Sequence, residues 1–188
     1  MKLSGSYQIN LEKQKVWEAL NNPDILQKSI PGCEEFKKIS DTEFSAKATN
    51  KIGPFNASFT GSIELKDLNP PHSYKITGSG DSPVGFANGE ATVTLEEFET
   101  GTKLNYVVEA NVGGKIAQVG SRLIDMTAKK MADVFFGKFS ELISSKQEQN
   151  QDIENKADQK LRKSGASNKT YIFISVIIII LILLYFFN

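Results

Sequence analysis

The sequence predicts an α+β fold: a seven-stranded, curved antiparallel sheet wrapped on a long helix, with two short helices after the first strand and a transmembrane helix at the C-terminal end. Three observations carry this prediction. Between Cys33 and Val112 apolar and polar residues alternate with period two, in stretches separated by short turn-forming clusters, the pattern of antiparallel strands with one wet and one buried face. From Lys115 to Ser144 the period becomes three to four, the spacing of one helix face. The stretch Tyr171 to Phe187 carries no charge, and Ser175 is its one clearly polar side chain. As a helix it is roughly 25 Å long, at the short end of what a hydrocarbon core of ~30 Å requires.

Leu3 to Asn10 reads as the first strand, and Asn10 is placed to cap the helix that follows. Val16, Trp17 and Leu20 share one face of that helix. Asn21-Asn22-Pro23-Asp24 breaks it, and Pro23 and Asp24 suit the first turn of a second helix running to Ser29, stopped by Pro31-Gly32. Phe36 and Ile39 mark the second strand, and Ser40-Asp41-Thr42 turns the chain into Glu43 to Ile52. Gly53-Pro54 turns it again into Phe55 to Lys66, where Phe55, Ala57, Phe59, Gly61, Ile63 and Leu65 face one way. Tyr74, Ile76 and Gly78 give the inner face of the fifth strand, which Gly80-Asp81-Ser82-Pro83 is expected to end. The sixth, Gly85 to Glu97, puts Ala87, Gly89, Ala91, Val93 and Leu95 on one face; the seventh, Thr102 to Val112, repeats the pattern before Gly113-Gly114. In the helix expected over 115–144, Ile124, Ala128, Met131, Phe135, Phe139 and Leu142 form the apolar stripe.

The organisation expected is a globular domain over 1–145, a polar tether over 146–170, disordered or partly helical, and a membrane span over 171–187. Lys160, Arg162, Lys163 and Lys169 precede the span, with no acidic residue after Asp158. The positive-inside tendency then places the domain in the cytoplasm, on the inner face of a cell membrane, behind a single-pass C-terminal anchor. Tyr171, Tyr185, Phe186 and Phe187 suit interfacial positions.

Lys and Arg total 22 and Asp and Glu total 22; this balance argues against nucleic acid as a partner. Cys33 is the single cysteine and His72 the single histidine, which excludes an internal disulfide, a cysteine zinc site and paired-histidine chemistry. Cys33 has no histidine base near it in sequence and reads as a small buried residue rather than a nucleophile. No metal and no covalent cofactor is expected.

The informative feature is the small size of inner-face residues: Ala46, Ala48, Ala57, Gly61, Gly78, Ala87, Gly89, Ala91 and Ala110. A sheet packed flush under a helix carries bulkier residues. Either the helix sits very close to the sheet, or an apolar cavity lies between them; the second reading is preferred, with an apolar small molecule as its ligand. Phe55, Phe59, Phe86, Ala87, Gly89, Met131 and Phe135 are the candidate ligand-binding residues. Inward polar candidates for catalysis are few: Tyr74, Tyr106 and Asn50.

Several motifs carry a family resemblance. Val16-Trp17-Glu18-Ala19-Leu20-Asn21, Pro23-Asp24-Ile25-Leu26 and Ile30-Pro31-Gly32-Cys33-Glu34 come first. Lys51-Ile52-Gly53-Pro54-Phe55 with Phe59-Thr60-Gly61, then Gly85-Phe86-Ala87-Asn88-Gly89, then Gly113-Gly114-Lys115-Ile116-Ala117-Gln118-Val119-Gly120, follow in order. Over about residues 1–143 the chain resembles CoxG, the family of the G subunit of carbon monoxide dehydrogenase, within the helix-grip superfamily of START and birch-pollen-allergen-like proteins. The resemblance implies a non-catalytic accessory protein that recruits a molybdenum hydroxylase to the membrane and presents a bound quinone or similar isoprenoid lipid to it. The alternatives are a structural recruiter without a ligand, and a cyclase- or dehydratase-like enzyme on an aromatic substrate.

Overall fold

The computed structural model describes residues 1–163, with side chains to Ser145. The chain divides into two compact units, Met1–Gln147 and Glu148–Asn188. The first holds all seven strands: β1 (Lys2–Ile9), β2 (Cys33–Lys38), β3 (Glu43–Ile52), β4 (Phe55–Asn69), β5 (Ser73–Ser82), β6 (Gly85–Phe98) and β7 (Gly101–Gly113). They form one antiparallel sheet in the order β1-β7-β6-β5-β4-β3-β2. Helices α1 (Lys13–Leu20) and α2 (Pro23–Ser29) follow β1, and α3 covers Ser121–Lys163. The sequence 171–187, expected as a membrane span, lies outside the described residues; among the described residues no helix is long and apolar enough to cross a membrane.

Four local expectations are corrected. Asn10 does not cap α1: the N-cap is Glu12, with no side-chain hydrogen bond. Asn22 caps α2 instead, its Oδ1 accepting from the backbone N–H groups of Asp24 (3.0 Å) and Ile25 (3.3 Å). β5 continues through Gly80-Asp81-Ser82, so its turn is Pro83-Val84. The long helix begins at Ser121, not Lys115. Lys115–Val119 is a 3-10 turn separated from it by Gly120 at φ 88°, ψ 148°, a conformation essentially reserved for glycine. The helix then continues to Lys163, through much of the stretch read as a tether.

Large side chains fill one end of the sheet–helix sandwich. Val16, Trp17, Leu20 and Ile25 pack with Phe36, Phe44, Tyr74, Leu95, Leu104, Phe139 and Ile143 in one buried cluster. Trp17 meets the ring of Tyr74 edge-on at 5.3 Å. On α3 the buried line is Phe136, Phe139 and Ile143; the apolar spacing alone did not include Phe136 or Ile143, because Phe135 and Leu142 fit the same period. Midway along, Phe136 stacks on Tyr7 (4.1 Å) and Tyr106 (5.6 Å). The Tyr7 hydroxyl donates to the Asp133 carboxylate, tying α3 to the edge strand.

Candidate ligand-binding cavity

The other end is hollow. β1 registers with β7 from Thr102 to Glu109, and Met1 extends the pairing to Ala110; β2 registers with β3 from Phe44 to Ala48, and Gly32 O accepts from the Thr49 N–H. Toward this end β3–β7 carry the sheet, and many of its inward residues are small. Register sets Ala46, Gly61, Gly80, Ala87 and Val112 in one cross-strand row, with Gly78, Gly89 and Ala110 in the next. The first turns of α3 and the 3-10 turn lie over this region. A partly open cavity of about 280 Å³ results, close to the ~300 Å³ lower end of small-molecule sites.

Its walls are almost wholly apolar. β3 gives Ala48, Asn50 and Ile52, and β4 gives Phe59; β6 and β7 give Ala87, Ala110 and Val112. Ile116, Ile124, Ala128 and Met131 close it from the helical side. Asn50 and Thr127 are the polar side chains, and both are engaged. Asn50 Nδ2 donates to Pro31 O (3.1 Å), and Thr127 Oγ1 donates to Leu123 O (2.8 Å). No titratable side chain lines the space, but Met1 does, and its α-ammonium donates to Ala110 O (2.6 Å).

Of the candidate residues, Phe59, Ala87 and Met131 line this cavity. Gly89 lies on the same sheet face, one row along, on a shallower apolar surface with Ile76, Ala91 and Val108. Phe135 stacks on Phe139 (5.8 Å) and meets Phe136 edge-on (4.9 Å), so it belongs with the filled end. Phe55 is half-buried opposite Ile52 at the hairpin tip. Phe86, 39% exposed, alternates with Ala87 and so lies on the outer face of the sheet, its ring over Gly113. Asn50 is inward and lines the cavity, whereas Tyr74 and Tyr106 sit in the filled end.

The catalytic alternatives are poorly provided for. Cys33 Sγ donates to Glu35 O (3.3 Å), and burial pushes its thiol pKa up, away from the reactive thiolate. His72 lies on an exposed turn against Lys13. Among the described residues no cluster of His, Cys, Asp or Glu could hold a metal ion.

Comparison with known proteins places this architecture. The family model of CoxG, the G subunit of carbon monoxide dehydrogenase, matches residues 5–144. The chain belongs to the CoxG family. A conserved protein from Geobacillus kaustophilus is 31% identical, with a TM-score of 0.74 over 77% of this chain and 96% of that one. Proteins from Chromobacterium violaceum (13% identity, TM-score 0.61, 76% of this chain and 96% of that one) and Thermus thermophilus (9%, 0.60, 77% and 98%) share the fold alone. No curated protein matches. The CoxG assignment and the helix-grip architecture therefore agree.

Proposed function

We propose that this CoxG-family protein is a membrane-anchored, non-catalytic accessory protein. In this reading it holds a quinone, or an isoprenoid lipid of similar headgroup, between sheet and helix, and serves a molybdenum hydroxylase of the carbon monoxide dehydrogenase type. The observation that carries the reading is the cavity of about 280 Å³, with apolar walls and no titratable side chain. Such a space favours a ring-sized apolar group, and the one ionisable group among its lining residues, the Met1 α-ammonium, is bonded to Ala110 O. A quinone carbonyl accepts hydrogen bonds only, and the second N–H of Asn50 Nδ2 and the Met1 α-ammonium are donors on lining residues. Chain segment 171–187, uncharged and preceded by cations, supplies the membrane anchor in this reading and keeps the domain on the cytoplasmic side.

Native mass spectrometry with lipid extraction on residues 1–147 tests it. A co-purified or added quinone at near-equal stoichiometry is the expected result. An empty domain that also takes up no added quinone would leave the structural recruiter as the better reading.

A further inference from the structure

Antiparallel topology sorts the loops of the domain between two ends. The β3–β4 turn, the β5–β6 turn, the 3-10 turn and the start of α3 meet at the hollow end; the β2–β3, β4–β5 and β6–β7 turns lie at the other. Charge is sorted the same way. No Asp or Glu occurs in residues 44–63, 82–89 or 110–124, the stretches that build the hollow end. Asp41, Glu43, Asp67, Glu96, Glu97 and Glu99 cluster at the opposite turns.

The hollow end instead carries Lys51, Lys115 and Arg122, all exposed, with Lys129 and Lys130 about two turns beyond Arg122 along α3. Among the described residues none of these five is in a salt bridge, whereas seven other lysines are. Four carboxylates border this end. Glu109, paired with Lys2, directly precedes the wall residue Ala110, and Asp133, which accepts from Tyr7, follows Lys129 and Lys130 by four and three residues. Asp81 is exposed opposite Phe86, and Asp125 is half-buried with one oxygen withdrawn from solvent.

Large apolar side chains are exposed at this end, Met126 60%, Phe86 39% and Leu123 36%, as Ile39, Leu68 and Phe98 are at the other, where the acidic residues cluster. Met126 stands four residues after Arg122 and three and four before Lys129 and Lys130, so all four share one helix face. The contacts at Gly53 bring the β3–β4 tip against Leu123 and Val119. Lys51, Lys115 and Leu123 each immediately precede a cavity wall residue: Ile52, Ile116 and Ile124.

We infer that the hollow end of the domain docks on an anionic lipid surface. Leu123 and Met126 enter the headgroup layer, and Lys51, Lys115, Arg122, Lys129 and Lys130 pair with lipid phosphates. Exposed apolar groups ringed by unpaired cations are what an anionic interface selects. The docked orientation sets the cavity walls beside the bilayer, so an apolar ligand passes between lipid and protein with little exposure to water. The purpose of docking rests on the carrier reading above; the docking itself does not.

The test uses the full chain with Cys33→Ser, reconstituted in vesicles without quinone. A single environment-sensitive fluorophore is attached through Met126→Cys or, at the opposite end, Glu99→Cys. In phosphatidylcholine vesicles containing phosphatidylglycerol, the label at 126 is expected to shift to the blue and to be quenched by brominated lipid. That response should fade in pure phosphatidylcholine and in high salt, and the label at 99 should stay water-like. Each cation contributes about a fivefold bias, so Lys51→Glu/Lys115→Glu/Arg122→Glu should abolish the response, and the corresponding Gln variant should weaken it. A water-like label at 126 on anionic vesicles, equal responses from both ends, or a response indifferent to the Glu and Gln variants overturns the inference. Failure of quinone uptake with the label response intact removes the carrier reading alone.

Discussion

Ala128 is a wall residue of the cavity, and its small size is what leaves the space open. Leucine there retains high helix propensity and directs its extra carbons into existing volume. Ala128→Leu is expected to leave stability unchanged or raise it by about 0.5–2 kcal/mol. The same change should weaken quinone uptake about tenfold, the equivalent of ~1.4 kcal/mol of overpacking against the ligand. A thermal melt and a ligand titration read the two effects separately; uptake unchanged in a folded variant would place the ligand elsewhere. Tyr74 makes a different prediction. It is 5% exposed, and burial holds its phenol pKa well above the ordinary range. Burial raises Tyr7 and Tyr106 as well, and the neighbouring Asp133 carboxylate adds to it. A folded-state value raised above the unfolded one gives stability that is complete below pH ~10 and lost as pH rises toward the folded value. For Tyr74 the loss approaches about 1.4 kcal/mol per pH unit. Denaturant midpoints should therefore fall above about pH 10, with the phenolate absorbance of Tyr74 appearing only with unfolding. Tyr74→Phe should make that fall shallower.

Among the elements, the small residues of the sheet divide by what a side chain would meet. A Cβ on Gly89 would lie 2.3 Å from Glu109 O, and one on Gly61 would lie 2.0 Å from Ser79 O. These positions let neighbouring strands approach and the sheet curve. A Cβ on Gly80 would meet only the Phe59 side chain at 3.8 Å and Thr60 O at 3.9 Å. Gly89→Ala is accordingly expected to cost about 1–3 kcal/mol, while Gly80→Ala should be neutral or gain up to about 1 kcal/mol from the lost strand-glycine penalty. Urea midpoints of the two variants check the contrast; equal effects would refute the division. The strands were legible because alternation reports facing directly: β3 runs Glu43–Ile52 as its pattern required. Parity also separates Phe86 from Ala87 and Gly89, so the outward position of Phe86 was available in the sequence. The position of Phe135 was not. It depends on which stretch of α3 lies over which end of the sheet, and the break at Gly120 that fixes this is hidden within an apolar run containing Ile116, Val119 and Leu123. The inward parity of Asn50 was readable, but its bond to Pro31 O was not, since that bond joins residues brought together by the α2–β2 turn.

At the scale of the whole domain, the choice between close packing and a cavity resolves into both, at opposite ends of one sheet. Phe139 and Leu104 are fully buried where α1 and α2 close the filled end, while Leu123 and Met126 are exposed where the cavity lies. Stability should follow this gradient, because local opening is cheapest where few apolar contacts are lost. Amides around Leu95 and Leu104 in β6 and β7 are expected to exchange only through global unfolding. Those from Ala87 to Gly89 and from Ile116 to Ala128 should exchange through a smaller opening that separates the start of α3 from the sheet. A ligand seated in the cavity binds the closed form alone, so saturating quinone should slow the second group by a factor of about 1 + [L]/Kd, until global unfolding becomes the faster route. The first group would change only as far as global stability does. Hydrogen exchange with and without quinone distinguishes this from a uniformly packed domain, in which both ends would show equal protection and any ligand effect would be spread evenly. Selective slowing at the filled end would place the ligand among the aromatic side chains there and would contradict the hollow-end assignment.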